Sequence, residues 1–307
     1  MLTAVIRARP SFVRGSTRLK LYGRNERACS QKRWSASQHE PSSSPTNFWT
    51  TSAKAMGIGT FAGALGSMVG MGGGFVMIPL MTNRSLLALT QHQAHGTSLF
   101  AVAATGFAGA LSYDGQVQWL DAATIAATGM VTAGLGARSA SALSAKALKR
   151  VLGVLMLVVA PAVHIKPEVL QQQQKEEDQG NITCQRVAPA LGIGMCSGYL
   201  AGLLGVGGGV LVVPALTLLT PCNHYEALAT SLCAMVLPAA SGTLTHFRAG
   251  NVALRGGIAP SLAVGACLGA YAGGQLAQNY IHDETTMRWG FSTLLVALGL
   301  RTLAKAG

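Results

Sequence analysis

The sequence is poor in charge. Only 11% of its 307 residues are Asp, Glu, Lys or Arg, against about 25% in a typical soluble domain. Acids are the scarcest, 11 against 23 Lys and Arg. This composition excludes the surface of an ordinary soluble enzyme. Aromatics are also few, at 6%, and no basic face is interleaved with them, so the net charge of +12 does not indicate a nucleic-acid partner. The six cysteines contain no C-x-x-C, and Cys196, Cys233 and Cys267 sit in apolar runs. Buried reduced thiols are expected rather than a disulfide framework or a metal site. Motifs for nucleotide, zinc and acyl-transfer chemistry are missing: no G-x-x-x-x-G-K-[ST], no H-E-x-x-H, no G-x-S-x-G. Gly57-Ile-Gly59 is followed by its next glycine one position too late for a dinucleotide fingerprint. Neither an enzyme nor a bound cofactor is expected.

What the sequence has instead is apolar residues, 50% of the total, and 38 glycines. Apolar stretches occupy about 53–81, 97–112, 119–137, 147–165, 187–220, 228–247, 254–279 and 286–304. Most match the ~20 residues that a helix needs to cross ~30 Å of hydrocarbon. The chain reads as an all-α polytopic membrane protein whose solvent is the lipid bilayer.

The basicity is uneven. Residues 1–54 hold ten Lys/Arg against Glu26 and Glu40, while the remaining 253 residues hold thirteen against nine acids. Residues 1–35 are rich in arginine and Ser/Thr, with a broken apolar face and no secretory h-region, the composition of a mitochondrial transit peptide. Residues 36–52 read as a polar linker. The expected location is the mitochondrial inner membrane. An uncleaved basic tail on a plasma-membrane or other organelle protein is the alternative.

The membrane part repeats. Gly59, Gly63, Gly70-Met-Gly-Gly-Gly74 and Pro79 return as Gly194, Gly198, Gly205-Val-Gly-Gly-Gly209 and Pro214, all at an offset of 135. Thr97-Ser98-Leu99 returns as Thr230-Ser231-Leu232 at 133, and Gly115-Gln-Val117 as Gly250-Asn-Val252 at 135. Two membrane repeats are expected, 53–165 and 187–304, joined by a polar connecting loop over 166–186. Charge suggests their orientation. If every stretch crosses once, Lys and Arg beyond residue 54 split 7 to 6 between the two sides. If 53–81 and 187–220 are hairpins that re-enter on the same side, the split becomes 9 to 4. The positive-inside rule favours the second arrangement. Each repeat is then a re-entrant or broken-helix hairpin plus three transmembrane helices. The odd number of crossings inverts the two repeats, a recurring transporter architecture.

The candidate site lies in the two glycine clusters. Gly72, Gly73, Gly74 and Gly207, Gly208, Gly209 are poor helix residues, each costing ~1 kcal/mol relative to alanine. Pro79 and Pro214 are expected to break the second arm of each hairpin. Helix N-termini there would attract an anion, and Thr97, Ser98, Thr230 and Ser231 would add hydroxyl donors. The competing reading is packing: Gly59-x3-Gly63, Gly194-x3-Gly198-x3-Gly202 and Gly265-x3-Gly269-x3-Gly273 are expected helix-contact faces. His246 is a candidate for proton coupling or a wetted interface histidine; Na⁺ is the other candidate coupling ion. His92 and His95, three apart, make an incomplete metal set and read as a solvated loop.

At these residues the chain resembles the TauE/SafE family of sulfite exporter-like permeases. The pattern is Gly-x3-Gly-x6-Gly-x-Gly-Gly-Gly-x4-Pro in both repeats, then Thr-Ser-Leu, then His246-Phe-Arg-Ala-Gly-Asn-Val252 in the second. The first repeat departs at Ser112-Tyr-Asp-Gly-Gln-Val117, where Ser112 takes the histidine-like position. The resemblance covers about 55–304 and implies export of a small anionic substrate such as sulfite, sulfonate or a related organosulfur acid. A membrane scaffold or subunit that carries nothing is the rival expectation.

Overall fold

The computed structural model describes residues 48–113, 115–162, 182–220, 222–254, 257–280 and 284–304; the side chains of 162, 182–186, 218, 280, 284–288 and 291 are not among them. The expected N-terminal address and most of the 166–186 loop lie outside the described residues. The described part is helical throughout, with no strand among the described residues. In chain order the helices are α1 (Phe48–Met68), α2 (Gly74–Met81), α3 (Gln91–Ser112), α4 (Trp119–Ala142), α5 (Ala145–Ala162), α6 (Ile182–Leu204), α7 (Gly209–Leu219), α8 (His224–Ala234), α9 (Val236–Arg248), α10 (Ile258–Tyr280) and α11 (Glu284–Ala304).

Four segments among the described residues are long and apolar enough to cross a membrane: Gln91–Ser112, Trp119–Ala142, Val187–Leu204 and His224–Arg248. Apolar side chains cover the outside as well as the core. Phe61, Phe107, Val131, Val158, Met195 and Leu268 are all exposed on their helices. Such a surface suits lipid, where the helix satisfies its own backbone polar groups. Trp49 and Trp119, also exposed, stand at helix starts, where an interfacial tryptophan is favoured. Cys196 belongs to this exposed surface and Cys233 and Cys267 are half-buried, which corrects their expected burial; among the described cysteines Cys222 is buried.

The starts of α3 and α8 precede their apolar stretches because each is capped. α3 begins six residues before 97 because Thr90 and Gln93 form a capping box: Gln93 N–H donates to Thr90 Oγ1 and Thr90 N–H to Gln93 Oε1. α8 begins before 228 for the same reason, with Asn223 N–H donating to Glu226 Oε2 at 2.8 Å. These polar first turns escape a search for apolar runs. α8 and α9 part at Met235, three residues before Pro238, whose missing N–H interrupts the ladder.

The prolines expected as helix breaks do not end their helices. Pro79 lies inside α2 and Pro214 inside α7. Each is the sixth residue of its helix, so it forfeits one i→i−4 bond and the helix continues. The breaks are made by the glycines that precede α2 and α7.

Packing crosses between the two halves of the sequence. α1 lies parallel to α10: a Cβ added to Gly63 would stand 2.5 Å from the carbonyl oxygen of Ala266, and one on Gly265, Gly269 or Gly273 would strike Met56, Thr60 or Ala64. α6 lies parallel to α4 in the same manner, with Gly198 against Gly129, Gly202 against Ala133 and Gly136 against Tyr199. The three expected glycine faces are thus helix contacts, where small residues let backbones approach. α3 runs antiparallel to α8–α9, since Gly96 meets Asn251 and Gly106 meets Leu232.

The ends of this bundle differ in charge. Phe48 packs on Gly257, Ala253 N–H donates to Thr97, and Thr82, Gln91, Lys149 and Arg301 border one cavity. These contacts gather the starts of α1, α3, α5 and α10 and the ends of α2 and α11 at one end. At the other end Tyr113 meets Ser67, and Gln118 bonds Glu226. Lys54, Arg84, Arg138, Lys146, Lys149, Arg150, Arg248 and Arg301 belong to the first, basic end. Asp121 and Glu226 belong to the second.

Candidate functional site

The chain between α1 and α2 turns through Gly70, Gly72 and Gly73, whose φ angles are 72°, 75° and 71°. Only glycine takes this left-handed region without steric cost. Gly66 O, near the end of α1, accepts from the N–H groups of Met71 and Gly72, at 2.8 and 3.2 Å. In the second loop Gly205 and Gly207 are left-handed, at 68° and 78°. Gly208 is not; its φ is −58°. Its glycine is required by space instead, because a Cβ would stand 2.8 Å from Ser197 Cβ.

The two loops touch. A Cβ on Gly74 would stand 2.7 Å from the carbonyl oxygen of Val206, and one on Gly209 would stand 2.5 Å from that of Gly70. Helices α2 and α7 therefore begin beside one another, deep in the bundle. Val102 of α3 and Met235, at the α8–α9 break, sit over both loops: the Met235 sulfur is 2.6 Å from a Cβ built on Gly72, and Val102 also blocks Gly207. Gly72, Gly73, Gly74, Gly207, Gly208 and Gly209 are all buried.

The Thr-Ser pairs reach across to the opposite half. Ser98 Oγ donates to Gly205 O at 2.7 Å, and Ser231 Oγ donates to Gly70 O at 2.8 Å. Thr97 Oγ1 accepts from Ala253 N–H at 2.9 Å, and Thr230 Oγ1 from Gln118 N–H at 3.0 Å. All four side chains are buried. In this conformation the serine hydroxyls hold the glycine loops, Thr97 holds the chain that leaves α9, and Thr230 holds the chain that leaves α3.

A further matched pair involves His246. Its Nε2 bonds Gly202 O at 3.0 Å, and in the first half the hydroxyl of Tyr113 donates to Ser67 O at 3.1 Å. Tyr113, 133 residues before His246, therefore fills the corresponding place, which corrects the assignment to Ser112. Ser112 Oγ bonds Gly109 O within its own helix. His246 is fully buried, not wetted, and its Nδ1 has no partner.

His92 and His95 lie in the first two turns of α3 rather than on a loop, because the Thr90 cap starts the helix at Gln91. His95 is fully buried. Its Nδ1 bonds Leu204 O, and its Nε2 is 2.8 Å from Gln91 Nε2. A carbonyl can only accept, so Nδ1 carries the proton and Nε2 accepts from the Gln91 amide. Among the described residues no three His, Cys, Asp or Glu side chains gather to hold a metal.

Sequence reasoning left Gly70 and Gly205 outside the candidate set, read His95 as a loop residue, and missed Val102, Met235 and Tyr113. The signal for most of them was the doubled offset. Gly70 and Gly205 are related by 135, and Val102 and Met235, like Tyr113 and His246, by 133.

An all-helical bundle with a lipid-suited surface, and with two glycine-hinged helix pairs meeting at its centre, is an integral membrane protein of the transporter kind. Residues 55–302 match the sulfite exporter TauE/SafE family, and the chain belongs to that family. It is similar to "Probable membrane transporter protein YunE" of Bacillus subtilis, 25% identical over 64% of this chain and 78% of the relative. It is likewise similar to a "Probable membrane transporter protein" of Xylella fastidiosa, 25% identical over 80% of this chain and 92% of that one. A "Probable membrane transporter protein MJ0441" of Methanocaldococcus jannaschii is 26% identical over 62% of this chain and 71% of its own length. No solved structure matches the chain significantly.

Proposed function

We propose that the protein is a secondary transporter that exports a small anion of the sulfite, sulfonate or related organosulfur class, by alternating access. It is a carrier rather than an enzyme. The observation that carries this reading is the meeting of α2 and α7 at their N-terminal ends, Gly74 against Val206 and Gly209 against Gly70. Two helix N-termini converging on one point favour negative charge. The name of the family supports sulfite or its relatives as the cargo.

The carrier is built from two repeats, 53–165 and 187–304, inverted with respect to one another and joined by 166–186. The antiparallel course of α3 and α8–α9 supports the inversion. Burial of both loops beneath Val102 and Met235 supports an occluded state, from which either side opens by moving those side chains away. The basic end faces the inside by the positive-inside rule, and export runs from it toward the end of Asp121 and Glu226. Protons drive the cycle through His246: its Nε2–H donates to Gly202, which leaves the Nδ1 lone pair to take a proton. The membrane is the mitochondrial inner membrane, addressed by residues 1–35, with 36–52 as a spacer.

The test is reconstitution of the pure protein into liposomes with labelled sulfite, sulfonates and carboxylates, under proton or Na⁺ gradients. Saturable flux of the sulfur oxyanions, with counterflow, is expected. No flux across the whole panel would identify a membrane scaffold instead.

A further inference from the structure

A cavity of about 40 Å³ opens at the basic end, away from the glycine loops. A single water needs ~10–15 Å³ on such a measure, so the space takes an anion of a few heavy atoms. Its walls come from four elements: Pro79 of α2 with Thr82 beyond it, Gln91 of α3, Lys149 of α5, and Arg301 with Thr302 of α11. Two cations from different helices thus face one small space. No ion pair joins either cation to a carboxylate among the described residues. The carboxylates with described side chains, Asp121 and Glu226, stand at the opposite end of the bundle.

The other polar groups of the cavity suit an acceptor-rich guest. The Gln91 amide nitrogen carries two hydrogens, and one is directed at His95 Nε2. The other is left as a donor. Arginine presents a planar fork that matches oxyanions, and lysine a mobile point charge. The guest that such a set recognises is a compact oxyanion with three or more acceptor oxygens.

We propose that this cavity is an oxyanion-binding site, taking a sulfonate, sulfate, sulfite or phosphate group at the basic end. The group arrives either on a free solute or on a lipid headgroup. Gln91 links the cavity to the centre, through His95, to the carbonyl of Leu204, which directly precedes Gly205. An anion that draws the Gln91 amide toward itself is therefore felt at the loop that Ser98 holds. As a loading site for the carried anion the cavity rests on the transport reading. As an oxyanion site it does not.

The experiment uses the full chain in nanodiscs of phosphatidylcholine alone, titrated calorimetrically with sulfate, methanesulfonate and phosphate, and with chloride as control. Saturable binding of at least one oxyanion over chloride is expected. The double variant Lys149→Gln/Arg301→Gln should weaken it by more than about tenfold, since it removes both charge-assisted partners of the anion. Arg84→Gln, an exposed cation outside the cavity, should bind as the wild type does. Arg301 is exposed and Lys149 half-buried, and an unchanged thermal midpoint would show that the double variant is folded.

A second arm adds phosphatidylglycerol to the disc. Competition with the free oxyanion identifies a headgroup as occupant, and no competition identifies a solute; either result upholds the site. Wild-type binding by the double variant overturns it, as does failure of the wild type to bind both free oxyanion and anionic lipid. Flux measured in parallel separates the two ideas. Flux without binding here removes the cavity and keeps the transporter. Binding without flux, from a broad panel, keeps the cavity and removes the transporter.

Discussion

Ser98 gives its hydroxyl proton to the carbonyl of Gly205, 107 residues further along the chain. Ser231 does the same for Gly70. Deleting either hydroxyl leaves a buried carbonyl without that partner, at a cost of about 1–3 kcal/mol. Ser98→Ala and Ser231→Ala should each lower the thermal midpoint in detergent, and the pair should lower it further. Unchanged midpoints in both would show that the loops are held by packing alone.

The glycine clusters should be intolerant for two different reasons. Gly73→Ala places a side chain at a φ of 71° and against Ala62, whereas Gly208→Ala is strained only by contact with Ser197. The first should therefore be the more destabilising. Gly73→Leu and Gly208→Leu should each abolish liposome flux while the protein still reaches the membrane. Full transport by both would remove the glycine loops from the site.

Met235 and Val102 cover the loops, so they must move if the centre opens. In a background without native cysteines, cysteine at either position should resist a water-soluble thiol reagent in the state described. Labelling should accelerate when a transported anion is supplied. Equal labelling with and without every anion tested would argue against a gate at these residues.

His246→Gln should remove the effect of a pH gradient on flux and leave counterflow exchange in place. Its Nδ1 lacks a partner, and a glutamine offers an amide but no titrating group. Full stimulation by a proton gradient in the variant would exclude His246 as the coupling group.

The 138–150 segment should be reached by an impermeant thiol reagent from one side of the membrane, and 166–186 from the other. Single cysteines placed in each segment make the measurement. Labelling from a common side would remove the inverted arrangement.

Much of this architecture was legible because the sequence states it twice. The offset of 135 located both glycine loops, and the spaced glycines marked helix-contact faces, though not which helices those faces join. What escaped had physical causes. The capped starts at Thr90 and Asn223 are polar, so an apolar scan passes over them and takes His95 for a loop residue. The left-handed Gly73 and the right-handed Gly208 share one motif, and composition does not separate φ from space. Tyr113 and His246 differ in chemistry while making corresponding bonds, so a search for a second histidine stopped one residue early, at Ser112.

Parallel pairing of α1 with α10 bears on how this molecule is built and how it moves. Gly63 and its partner Ala266 are separated by 203 positions. During synthesis the small-residue face of α1 stays unmatched until nearly the whole chain has been made. A chain truncated after α9 would leave that face bare and should be unstable in the membrane. The same interleaving means that neither half of the sequence forms a separate body. The stiff pieces available for rocking are chimeras, α1 with α10 and α6 with α4, each drawing one helix from either side of the central connector.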